Sequence, residues 1–138
     1  MDGFRAAVYA KLNGDSTLMA LFNNTSSIYH NRAPMDAPFP YIIFSKNAGS
    51  PTWSFAGPPM ANQLWLFNAV DRADSASRCE DINKRLDVVL TDPIMTLTDG
   101  TLLYLRREQD VDYADDTEVD FVVFYCGGLY RTIIDRAT

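Results

Sequence analysis

Between Asp71 and Leu90 the chain reads Asp-Arg-Ala-Asp-Ser-Ala-Ser-Arg-Cys-Glu-Asp-Ile-Asn-Lys-Arg-Leu-Asp-Val-Val-Leu, and no other stretch limits the fold as strongly. Its apolar positions Ala76, Cys79, Ile82, Leu86 and Val89 recur at intervals of three and four, while Arg78, Asp81, Lys84, Arg85 and Asp87 fall mostly on the other side. This spacing predicts one helix with one buried stripe. Asp71, Asp74 and Ser75 are alternative acceptors for its first amides, and Ser77 with Glu80 has capping-box spacing, so the start is open by a turn. Pro93 sets the end, because the residue before a proline avoids helical geometry. Strand-like runs flank the helix on both sides. It is therefore expected to cover one face of an antiparallel sheet of about four main strands of mixed length, an α+β fold.

A chain of 138 residues suits a single domain, 1–138, and buries roughly two-thirds of the surface its unfolded form exposes. Disulfide or metal support is not needed at that size. Cys79 lies on the helix stripe and Cys126 in a late strand, with no zinc or redox spacing, and both read as small buried hydrophobes. No apolar run approaches membrane-spanning length, and the opening Met-Asp-Gly-Phe-Arg leads into an amphipathic pattern, which suggests a protein made and kept in the cytosol. The net charge of −6 disfavours capture of nucleic acid through its phosphates.

The N-terminal helices are expected within 1–22. Phe4, Ala7, Val8, Lys11 and Leu12 share one face, and Asn13-Gly14 offers a left-handed exit. Asp15 or Ser16 can then cap a second short turn carrying Leu18, Leu21 and Phe22. Ile28-Tyr29-His30 suits a short edge strand, followed by a connector stiffened by Pro34, Pro38 and Pro40. Tyr41 to Lys46 reads as a strand covered on both faces at its start. The next segment, 47–61, holds Gly49, Pro51, Gly57, Pro58 and Pro59 and is predicted to be an irregular loop. Loops longer than about 12 to 15 residues are usually functional or disordered. It carries Trp53, Phe55 and Met60, which either fold back onto their own subunit or dock on another chain.

Asn62 to Val70 is the expected central strand, with Trp65, Phe67 and Ala69 on one face and Leu64, Leu66 and Val70 on the other. A C-terminal hairpin is predicted over 102–134. Strict alternation puts Leu103, Leu105, Arg107, Gln109, Val111 and Tyr113 on one side and Arg106, Glu108, Asp110 and Asp112 on the other. A three-residue loop at Ala114-Asp115-Asp116 would oppose Val111 to Val119 and Leu105 to Tyr125. Gly127-Gly128 is expected to interrupt the second strand as a bulge or bend.

No constellation for catalysis, metal or cofactor stands out. Phosphate-cradling glycine loops, a Walker lysine and a Gly-x-Ser-x-Gly elbow are all absent from the sequence. Asp110-Val111-Asp112 has the look of a carboxylate pair for a metal, yet acids at i and i+2 are ordinary on an exposed strand. His30, the single histidine, has no nucleophile in a recognisable setting and reads as a polar surface or capping residue. Seven acids do fall within 13 consecutive residues: Glu108, Asp110, Asp112, Asp115, Asp116, Glu118 and Asp120. They form either a solvated surface that blunts a sheet edge, or the wall of a passage from which phosphates are repelled.

Several landmarks taken together resemble a known family. They are two N-terminal helices, Ile28-Tyr29 followed by Arg32-Ala33-Pro34, the run Ala37-Pro38-Phe39-Pro40-Tyr41-Ile42, a strand ending Phe67-Asn68-Ala69-Val70, the amphipathic helix and a final two-strand ladder. This order resembles the tail completion, or tail terminator, proteins of long-tailed bacteriophages and prophages, over nearly the whole chain. The resemblance implies a ring, usually of six subunits, that caps the tail tube, stops its polymerisation and offers a docking face to the head. The implied partners are further copies of the chain, the tail tube protein and the head's completion or connector protein, with DNA passing through unbound, in the virion. Trp53, Phe55 and Met60 are the expected contacts to neighbours or tube, and Asp110, Asp112, Asp115 and Asp116 an acidic lumen or docking surface. Competing readings are another neck protein, a tube subunit, or a small cytosolic enzyme or ligand-binding domain.

Overall fold

The computed structural model describes residues 2–22, 27–34, 37–54, 57–73, 75–91, 97–98, 100–115 and 122–135, with backbone alone at residues 2, 50–54 and 57–59. Helices α1 (Asp2–Asn13) and α2 (Ser16–Met19) precede strands β1 (Ile28–His30), β2 (Tyr41–Ser54) and β3 (Gly57–Ala73). Helix α3 (Ser77–Thr91) follows, then β4 (Thr101–Asp115) and β5 (Val122–Asp135). The strands form one five-stranded sheet in the order β1-β2-β3-β5-β4. It is mixed: β1 runs parallel to β2, and every other neighbouring pair is antiparallel. The class is α+β as expected, with the short edge strand adding a fifth member.

The helices pack on one face of the sheet. Ile42 and Phe44 of β2, Trp65, Phe67 and Ala69 of β3, and Cys126, Tyr130 and Ile134 of β5 share that face and are buried. Phe4, Val8 and Leu12 of α1, Leu18 of α2 and Cys79, Ile82, Leu86, Val89 and Leu90 of α3 complete one core cluster. The stripe read from periodicity is thus the buried face of α3. Its start differs from the expected Asp71: Asp71 to Ala73 belong to β3, and the Ser75 hydroxyl accepts from the Ser77 amide at 3.3 Å. Asp71 is fully buried and held by a two-bond fork from Arg78, at 2.9 and 2.7 Å, so its carboxylate serves a partner on α3 and caps nothing. Asp15 does cap α2, accepting from the Leu18 amide at 2.9 Å, and pairs with Arg85 of α3 at 2.7 and 2.8 Å. Gly14 ends α1 without a left-handed φ, its amide donating to the Ala10 carbonyl at 3.0 Å.

The segment 47–61, expected as an irregular loop, is an extension of the β2–β3 hairpin. Its ladder opposes Ala48 to Leu64, Ser50 to Asn62, Pro51 to Ala61 and Ser54 to Gly57, with bulges between Lys46 and Ala48 and between Thr52 and Ser54. The prolines are tolerated because, among the described residues, no strand flanks the arm at Pro51, Pro58 or Pro59. β1 covers β2 only at Ile42–Phe44, and β5 reaches β3 no further than Met60. The start of β2 is covered on one face: Ile42 and Phe44 are buried, while Tyr41 and Ile43 are half-buried.

The C-terminal hairpin departs from the expected register. Val111 opposes Gly127 and Leu105 opposes Thr132, because β5 runs unbroken through Gly127-Gly128 to Asp135. The bulges lie on the opposite strand, between Leu102 and Tyr104 and between Arg107 and Gln109. Each resets the alternation, so Leu105, Arg107, Asp110 and Asp112 share the helix side, and Tyr104, Arg106, Gln109, Val111 and Tyr113 the other. The glycines serve close approach. A Cβ on Gly127 would collide with the Phe67 carbonyl oxygen and stand 2.5 Å from Asn68 Oδ1, and one on Gly128 would stand 2.6 Å from Arg107 Nε. The expected register at Val119 lies outside the described residues.

Candidate assembly surface

β4 lies at the end of the sheet and has a neighbour on one side only. An edge strand presents a row of unpaired N–H and C=O groups along its free side. Short, twisted or covered edges are the common form, whereas β4 is 15 residues long. Of the four large hydrophobic residues exposed among the described residues, three belong to it: Leu103 at 53 %, Tyr104 at 42 % and Tyr113 at 53 %. Burying such side chains releases about 25 cal/mol for each Å² of apolar surface removed from water. Leu103 and Tyr104 lie at one end of the strand and Tyr113 at the other, with the exposed Arg106 and Gln109 between them.

The same strand carries the acids singled out in the sequence. Asp110 and Asp112 are exposed on the helix side of β4, and Asp115 is half-buried at its end. Asp110 accepts from Arg107 at 3.2 Å, Asp112 from the Gly127 amide at 3.3 Å, and Glu108 from Arg131 at 3.1 and 3.3 Å. Asp116 lies outside the described residues. Among the described residues no group of three His, Cys, Asp or Glu side chains is placed to hold a metal ion.

The sheet face away from the helices is mixed, with apolar and aromatic residues beside Asn62, Asn68, Arg106, Gln109 and Arg131. Ile43, Leu64, Leu66, Leu129 and Ile133 are half-buried there. Tyr113 and Tyr125 stack at 4.4 Å, and Tyr29 meets Tyr41 edge-on at 5.5 Å. Burial, with Tyr125, Tyr29 and Tyr113 close by, pushes the Tyr41 phenol above its ordinary value. The connector covers one end of this face, where Phe39 packs on Tyr41 at 5.3 Å and takes the Arg72 guanidinium over its ring at 5.2 Å. Met60 sits half-buried in the β2–β3 arm opposite Thr52 and Asp135. Of the other two aromatic candidates, Phe55 and the side chain of Trp53 lie outside the described residues.

His30 is half-buried. Its ring packs against Phe44 and Trp65, at 5.1 and 5.9 Å, and burial pushes its pKa down, with Arg5 and the N-terminus adding to the effect. The cysteines, distant in sequence, meet across the core. The Cys79 thiol donates to the Ala69 carbonyl at 3.1 Å, and Ala69 is the ladder partner of Cys126. Sequence reasoning missed the exposed row on β4, since strict alternation assigned Leu103, Leu105, Val111 and Tyr113 to one face. The length of that apolar run was the available signal.

Fold and surface together define a small α+β protein with a long, partly apolar strand at one end of its sheet. The chain matches the family model described as tail completion protein gp17 over residues 6–125, and it belongs to that family. Its place is accordingly in the phage tail or neck, as a structural component of the virion. A solved chain from the virion of a native gene transfer agent particle shares the fold, with a TM-score of 0.81 at 16 % identity over 97 % of this chain and 96 % of that one. A second solved chain shares it with a TM-score of 0.59 at 13 % identity over 99 % and 96 %. No curated protein matches the chain. Among the described residues no helix is long and apolar enough to cross a membrane.

Proposed function

We propose that the protein is a non-enzymatic ring subunit, most simply one of six, that caps the finished tail tube, stops its polymerisation and gives the head's connector a surface on which to dock. The observation that carries this reading is the open edge of β4, with Leu103, Tyr104 and Tyr113 exposed along it in a member of a tail completion family. A subunit that ends a tube needs surfaces for its own copies and for the tube, and a sheet with two open edges and one half-buried apolar face offers them. Trp53, Phe55 and Met60, around the end of the β2–β3 arm, supply further contacts to a neighbour or the tube. The acids Asp110, Asp112, Asp115 and Asp116 form a contact surface or border the passage, where like charge lets DNA slide without adhering.

The test has two parts. Native mass measured over a range of concentrations should show a closed oligomer in place of a monomer or an open polymer. Particles assembled without the protein should carry overlong tails lacking heads in electron micrographs. Tails of normal length joined to heads would remove the capping role, and unlimited polymerisation of the isolated chain would make it a tube subunit.

A further inference from the structure

The two edges of the sheet differ in net charge. β4 holds Glu108, Asp110, Asp112 and Asp115 against Arg106 and Arg107. β1 and β2 contain no carboxylate; the exposed Arg32 follows β1 by two residues, past Asn31 at φ 64°, and the exposed Lys46 lies on β2. The ladders also fix relative heights across the sheet. One row runs His30, Phe44, Phe67, Gly128, Asp110, and the next runs Ile28, Ile42, Ala69, Cys126, Asp112. Asp110 and Asp112 on one edge thus stand level with β1 on the other, and the next row on, Lys46, Trp65, Tyr130, Arg107, sets Lys46 two residues beyond Phe44. Strand direction agrees as well. β1 and β2 run together, β3 against them, β5 with them and β4 against them. Copies repeated about an axis along the strands would set β4 antiparallel to the next copy's β1 and β2. β2 beyond Phe44 has no strand on its outer side among the described residues, which leaves room for that neighbour.

From these relations we propose that β4 of one subunit pairs head to tail with the β1/β2 edge of the next, its carboxylates meeting Arg32 and Lys46, so that the sheet continues from copy to copy. The proposal rests on the ring reading above and names the two surfaces that make the ring. Pairing of β4 with itself about a twofold axis centred on Val111 would oppose Asp110 and Asp112 of the two copies, and like charges opposed across strands repel. A heterologous contact of unlike edges closes into a ring or continues as a filament according to the rotation between copies.

The full chain is tested in two charge-reversed forms, Asp110→Lys with Asp112→Lys, and Arg32→Glu with Lys46→Glu, by native mass and sedimentation, free and on isolated tail tubes. Each form alone should need at least about tenfold more protein to assemble, since like charges then face each other. Mixing the two forms restores both complementary contacts and should restore assembly, as should one chain carrying all four changes. Assembly of the unaltered chain should weaken as salt rises from about 0.05 to about 0.5 M, a readout that needs no variant to fold. Rings that form unchanged in either variant, no rescue on mixing folded variants, or indifference to salt would overturn the edge pairing while leaving the ring intact. An unaltered chain that stays monomeric both free and on tubes would remove the ring and this contact together.

Discussion

Tyr130 of β5 donates its hydroxyl hydrogen to Asp87 of α3 at 2.7 Å while accepting from Arg107 of β4 at 2.9 and 3.1 Å. Arg107 also donates to Asn83 of α3 at 2.6 Å, and its guanidinium lies 5.1 Å from the Tyr130 ring centre. One buried phenol therefore ties the main helix to the last two strands. Burial and the bond to Asp87 push it above its ordinary pKa, so it remains a neutral donor at physiological pH. Tyr130→Phe keeps the ring and removes the oxygen, leaving Arg107 short of an acceptor. A loss of about 1 to 3 kcal/mol is expected, read as a lower urea midpoint with an unchanged slope. An unchanged midpoint would mean that water replaces the hydroxyl at no cost.

Gly127 is the position least able to accept a side chain. An added methyl would meet the Phe67 carbonyl oxygen and stand 2.5 Å from Asn68 Oδ1 and 2.8 Å from Asn68 Cα, where backbone cannot yield cheaply. Gly127→Ala should cost about 3 kcal/mol or more, lowering the thermal midpoint or preventing folding. Gly49→Ala is the control. Its nearest neighbour is Gln63 Cγ at 3.3 Å, which has to give by only a few tenths of an ångström, and its cost should be well below that of Gly127→Ala.

Asp15 links stability to pH. The bond from Arg85 holds its carboxyl below the usual 3.8, with the Leu18 amide helping and partial burial opposing. A depressed folded pKa contributes stability that is complete above the unfolded value and lost as pH falls through the folded one. Thermal midpoints of the parent should therefore exceed those of Asp15→Asn by a constant margin above about pH 5, and the margin should shrink below about pH 4. A margin that persisted in acid would assign the effect to the cap alone.

Cys79 is expected to be inert. Burial pushes its thiol far above the ordinary range, and the thiolate is the reactive form. Burial also raises the pKa of Cys126. At about pH 8 neither thiol of the folded chain should react with iodoacetamide on the timescale that modifies free cysteine, and both should react once urea unfolds the protein. Rapid labelling of the folded chain would show that α3 opens from the sheet.

The β2–β3 arm extends beyond the last described pair of β3 with β5, Met60 opposite Asp135. Trp53→Ser combined with Phe55→Ser should weaken assembly, measured as a higher concentration for oligomer formation, with little change in the monomer's thermal midpoint. A double variant that cannot fold would place these side chains in the monomer's own core.

The stripe on α3 was readable because helical periodicity is local: Cys79, Ile82, Leu86 and Val89 each point inward for a reason contained within four residues of the chain. Asp15 was readable as a cap for the same reason, since its acceptor needs only the amide three residues on. The arm at 47–61 was not. Prolines and glycines speak against strands in general, and only the absence of flanking strands makes them acceptable here. Strict alternation failed on β4 because each bulge resets which face a residue takes, and a bulge depends on the partner strand.

By itself the sequence determined the α+β class, the helix that covers the sheet, the excess of acid near the C-terminal hairpin and the likeness to tail completion proteins, all of which depend on residue type and short spacing. Tertiary structure alone decided that Asp71 is buried against Arg78, that Cys79 and Cys126 share the Ala69 strand position, and that Arg107 crosses Gly128 to reach Tyr130. It also set Asp110 and Asp112 on one edge of the sheet level with β1 on the other. The physical reason is that strand order and register are set by contacts between segments distant along the chain, so a residue's face and neighbours depend on partners that local pattern does not name.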